Sequence, residues 1–202
     1  AVVGGVLLLI TRARTSTAVA PADEMAVKGE ETPSTERDWG GAGPPQAQFV
    51  TTYVLGDDHY DPSFSIELDT GEFMGECGVG ISETLGVGDP NKVTAFEVWL
   101  FDKNDIRTVT KVLMTEHAFN DQALRTKLAP KGDAVLVTPG GITTLETQTL
   151  RVQVRIVDLQ YGTGPLPPNS FFERLTVELA AWPKEATEGT LPPAGTSSSA
   201  FG

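Results

Sequence analysis

Residues 149–161 read TLRVQVRIVDLQY, and their alternation decides the fold. Leu150, Val152, Val154 and Ile156 take one side, while Arg151, Gln153 and Arg155 take the other. Side chains repeat every two residues in an extended strand, so this is a strand with one dry face and one wet face. Past Ile156 the pattern slips. Val157, Leu159 and Tyr161 become the apolar set, and Asp158 and Gln160 the polar set. A one-residue slip inverts every later side chain. The spacing therefore predicts a β-bulge between Ile156 and Val157, or a strand that passes from one sheet to another there.

The same period extends outward in both directions. FFERLTVELAAW (171–182) puts Leu175, Val177, Leu179 and Ala181 on one face and Arg174, Thr176 and Glu178 on the other. Upstream, strand-like runs occupy 48–55, 63–68, 72–82, 92–101, 108–115, 134–138 and 142–146. Each is rich in β-branched or aromatic residues and is cut by Gly, Pro, Asp or Asn, as in DKND (102–105) and PGG (139–141). One stretch departs from this. HAFNDQALRTKLAPKG (117–132) spaces Ala123, Leu124 and Leu128 as a helix does, with Asn120 or Asp121 as N-cap and Pro130 and Gly132 as stops. The expectation is an all-β fold with one short helix: an antiparallel β-sandwich of eight or nine strands over residues 47–182. A closed barrel is the alternative.

The flanks have a different composition. Residues 15–46 are dominated by Thr, Ser, Pro, Gly, Ala and charge without a period, and residues 183–202 are similar. Such segments bury too little to offset ordering entropy, so a flexible N-terminal linker and a C-terminal tail are expected. A flexible linker of this length would hold the domain about 30 Å from its start. Trp39 is the aromatic inside it, a candidate to pack on the domain. The first ten residues, AVVGGVLLLI, are uncharged and apolar. They are about half of the ~20 residues needed to span a bilayer. Followed by Arg12 and Arg14, they read as the C-terminal part of a membrane anchor helix (1–14), with the basic flank leaning toward a cytoplasmic domain. A processed signal peptide or a buried segment is the bland alternative, but no charged region precedes the apolar run.

Charge narrows the partners. Asp+Glu total 27 against Lys+Arg 15, a net charge of -12. That field repels phosphate backbones, and no Lys/Arg run offsets it, so nucleic acid is not an expected partner. A protein partner and a membrane attachment through the N-terminal anchor are expected, and no cofactor. The stripe Arg151, Gln153, Arg155 would suit an acidic partner surface. The preferred reading is a solvated face whose arginines pair with Glu on the next strand. Phe171 and Phe172, near Pro167 and Pro168, would cap the sandwich end, or mark an interface if exposed.

Three chemistries deserve a trial. The single cysteine, Cys77, sits in GECGVG (75–80), and a thiol nucleophile would need His59 or His117 as base, as in a cysteine-dependent hydrolase or transferase. But GECGVG has no glycine two residues after the cysteine, as a nucleophile elbow needs. Cys77 also falls in phase with Phe73, Gly75, Val79 and Ile81, where a thiol acts as a small buried hydrophobe. Gly75, Gly78 and Gly80 then reflect a bulge or a close neighbour rather than a phosphate loop, whose spacing is absent. Second, DDHYD (57–61) supplies Asp57, Asp58 and Asp61, which with Asp89, Asp102 and Asp105 from other loops would make an oxygen-rich Ca²⁺ site in a calcium- or lipid-responsive module. Acidic turns are also ordinary in any sandwich. Third, two histidines and one cysteine give a transition-metal site too few ligands without a carboxylate. The leading expectation is a membrane-anchored, non-enzymatic β-sandwich with a protein-binding or assembly role.

Overall fold

A computed structural model describes residues 43–184. The expected anchor (1–14), most of the expected linker (15–46, with Trp39) and most of the expected tail (183–202) lie outside them. The described chain is a β-sandwich of nine strands and two short helices. The strands are β1 (Ala47–Val54), β2 (Ser63–Glu67), β3 (Phe73–Leu85), β4 (Lys92–Asp102), β5 (Arg107–Met114), β6 (Asp133–Leu136), β7 (Ile142–Glu146), β8 (Leu150–Tyr161) and β9 (Phe172–Pro183). Sheet A has the order β1-β9-β8-β7 and sheet B the order β2-β3-β4-β5-β6. They are separate open sheets, not one closed barrel. The inward residues of both build a single core: Tyr53, Phe96 and Phe172, with Ile66, Leu100, Leu113, Leu145, Leu150 and Leu179.

The phase slip in β8 is a bulge. Ile156 pairs with Val177 and Asp158 pairs with Thr176, so Val157 is the extra residue. Val157 is 50% exposed. The bulge returns the strand to phase: Leu159 faces Leu175, as Ile156 faces Val177. One strand thus keeps its apolar set in the core along its whole length and stays within sheet A.

Two features differ from the expectation. The single helix is two, α1 (Glu116–Asn120) and α2 (Gln122–Leu128). Asp121 separates them in an extended conformation and caps the second, its Oδ1 accepting from the Ala123 and Leu124 amides at 2.8 and 3.0 Å. Thr115 caps the first, accepting from the Ala118 amide at 3.1 Å. Second, β5 and β6 pair in parallel, whereas every other pairing is antiparallel. A parallel partner cannot be reached by a tight turn; the chain needs a crossover of a dozen residues or more. The two helices are that crossover. They lay Ala118 and Leu128 against Ala95, Val112 and Met114 on the outer side of sheet B.

Hydrogen bonding runs slightly beyond residues 47–182. The Gln46 amide donates to Ala181 O at 2.8 Å, and the Lys184 amide to Thr149 O at 2.7 Å.

Candidate functional site

The two ends of the sandwich are unlike. At one end the connections are short: residues 68–72, 103–106 and 147–149. At the other lie the longer loops 55–62, 86–91 and 162–171, together with α1. Loops set on a rigid scaffold are where recognition residues concentrate, so the loop end is the candidate site.

The acidic stretch 57–61 is held there at both ends. Tyr53 and Tyr60 send their rings into the core, edge-on to each other and to Phe96. Tyr60 Oη and Thr51 Oγ1 share a hydrogen bond of 2.8 Å. Burial, with a smaller contribution from the Asp58 and Asp57 carboxylates, pushes the Tyr53 phenol up to about 12. Burial does the same to Tyr60. Asp58 accepts from the Asn91 amide at 3.2 Å, which ties this loop to the 86–91 loop. In that second loop Gly86 and Gly88 both have positive φ and hold Val87 fully exposed between them. Leu166 of the third loop lies 3.7 Å from where a Cβ on Gly86 would stand.

Between the third loop and α1 is an open, polar cleft lined by Glu116, His117, Asn120, Asp121, Pro168 and Asn169. Asn169 shapes it. Its backbone is left-handed, with φ 53°, its carbonyl accepts from the His117 amide at 3.2 Å, and its side-chain amide donates to Glu116 Oε2 at 2.7 Å. Asparagine tolerates that conformation better than most residues. Nothing in the periodicity marked Asn169; only a PPNS run in a Pro-rich loop signalled a turn. Phe171 and Phe172, at the base of the same loop, are both buried, and Lys92 lies 5.6 Å over the Phe171 ring. They cap the core rather than project from it.

The candidate residues are divided between the two ends and the interior. His59, Asp57, Asp58 and Asp61 belong to the first loop, and His117 to the cleft. Cys77 is wholly buried in β3, between Phe64 and Leu100 in the pairing register. Burial, helped by Glu76, pushes its thiol up to about 12. The nearby glycines answer to close packing. A Cβ on Gly75 would stand 2.2 Å from Phe101 O, and one on Gly78 would stand 2.5 Å from the Trp99 indole.

Asp102 and Asp105 sit at the opposite end from the 57–61 loop. Asp102 is wholly buried and fastens the β4–β5 turn to the β7–β8 turn. Its carboxylate accepts from Thr147 Oγ1 at 2.6 Å, Thr149 Oγ1 at 2.9 Å, the Thr149 amide at 3.0 Å and the Asn104 amide at 2.8 Å. Asp105 accepts from the Gln148 amide at 3.3 Å and from Arg107 at 3.1 Å. Among the described residues no group of three or more His, Cys, Asp and Glu side chains gathers as metal ligands. Likewise, no described helix is long and apolar enough to cross a membrane. The stripe on β8 engages its own sheet: Arg155 Nε lies 3.6 Å from Glu178, and Arg151 lies 5.1 Å over the Trp182 ring.

The chain matches no known protein family, no curated protein and no solved structure.

Proposed function

We propose that this chain is a membrane-anchored, non-enzymatic β-sandwich that binds a protein partner through its loop end. The observation that carries the reading is the asymmetry of the two ends. The short-turn end is closed by the Asp102 hydrogen bonds, while the loop end presents both the exposed Val87 and an open polar cleft. The buried, protonated Cys77 thiol supports the non-catalytic side of the reading, because only a thiolate attacks efficiently. The anchor rests on the apolar run 1–10 followed by Arg12 and Arg14.

A photo-crosslinking amino acid placed at Val87 or Asn120 in the membrane-bound full chain tests this, with Thr70 at the other end as control. The expected result is a discrete crosslinked protein from the loop-end positions and none from Thr70. Recovery of the chain alone from all three positions, together with a monomer in solution, would sink it.

A further inference from the structure

On the outer side of sheet A, β9 turns Arg174, Thr176, Glu178, Ala180 and Trp182 away from the core. An uncovered sheet face leaves such residues wet, as Arg174 is. Yet Glu178 and Ala180 are wholly buried, and Trp182 is 7% exposed. Neighbouring side chains in the sheet (Gln48, Gln153, Arg155) can shield them from the side. Shielding from above takes another layer. Both helices lie against sheet B, so no described helix or strand supplies it.

We propose that the outer face of sheet A is a docking face, and that its occupant is the stretch of this same chain immediately before Gly43. Three observations choose that occupant. Trp182 Nε1 donates to Gly43 O at 3.2 Å, so the chain approaching β1 reaches the outer side of β9 at Trp182. Gly43 has a φ of 71°, which favours glycine, at the point where a chain leaving that face must bend into β1. The sequence also has matching chemistry. TERDWGGA (35–42) offers Trp39 to the Ala180–Trp182 end, and Arg37 and Asp38 to the Glu178 and Arg155 charges. Reach is ample: Trp182 to Glu178 is about 13 Å along a strand, which five or so extended residues cover.

Disulfide trapping in the full chain tests the proposal, since the buried Cys77 thiol does not compete. Ala180→Cys is combined with Trp39→Cys, with Gly41→Cys, or with Ser197→Cys from the other flank. Under a glutathione redox couple, bridging is expected with position 39 or 41 and not with 197. Bridging with 197 alone, or with none of the three, overturns the proposal. Because Ala180→Cys could itself disturb the face, a second measurement leaves position 180 intact. With Trp99→Phe alone, Trp39 and Trp182 are the two indoles, and docking shields both from acrylamide. Replacing residues 35–39 by GSGSG leaves Trp182 as the sole indole, and quenching should rise at least about threefold; quenching that is unchanged or falls overturns the proposal.

Discussion

Asp102 shows how one side chain can close one end of a sandwich. Burial alone would push its carboxyl up, but hydrogen bonds from Thr147, Thr149 and Asn104 outweigh that and hold it below the ordinary carboxylate range. A depressed folded pKa stabilises the fold above the unfolded value of about 3.9, and that contribution is lost as the pH falls through the folded value. Asp102→Asn removes the charge but keeps much of the shape. It should lower stability at pH 7 by about 2–3 kcal/mol and flatten the loss of stability below about pH 4, read by urea titration at several pH values. Equal destabilisation at pH 7 and at pH 2.5 would show that the ionised form is not what holds the turns. Neither Thr147 nor Thr149 could be assigned this duty from sequence, because the acceptor lies some forty-five residues away and polar turn residues are common. Cys77, by contrast, was legible, since its phase among Phe73, Val79 and Ile81 placed it inside. With the thiol wholly buried and pushed up to about 12, a disulfide reagent at pH 8 should leave the native protein unlabelled and label it one-to-one in denaturant. Rapid native labelling would contradict this.

At the scale of elements, the period of two located all nine strands and the bulge, because alternation reports which side of a ladder each residue faces. It carries no information on strand direction. That is why the parallel pairing of β6 with β5 was not legible, although the helical spacing between them was. The break at Asp121 was half legible. The residue was recognised as a cap, but Thr115, which starts a turn of its own just before it, ended the strand reading at 108–115. The bulge makes a paired prediction. Deleting Val157 removes the extra residue and leaves Ile156 and Leu159 in regular alternation, so the domain should still melt cooperatively, at a cost of about 1–2 kcal/mol. Deleting Gln153 shortens the chain equally but inverts one half of β8, which should abolish the cooperative transition. If both deletions behave alike in thermal melts, register is not what the alternation secures here.

At the scale of the whole molecule, the sandwich architecture was legible and its surfaces were not. Sequence patterning distinguishes in from out along each strand, but burial on an outward face depends on what lies above it. Thus Glu178 was placed correctly on the side of β9 facing away from the core, but that side was expected to be wet and Glu178 is wholly buried. The same holds for the cleft, whose walls come from residues some fifty positions apart. One feature of the topology has a mechanical consequence. Ala47 opens β1 opposite Ala181 near the close of β9, so the chain enters and leaves on neighbouring strands at one end. Tension applied through the two flanks would load that pair as a zipper, opening it rung by rung. Tension between residue 47 and residue 172 would instead load the same rungs together, in shear. Optical-tweezer pulling should therefore rupture the first geometry at clearly lower force than the second. A chain tethered at its base would then yield from the base upward, while its far end kept its shape.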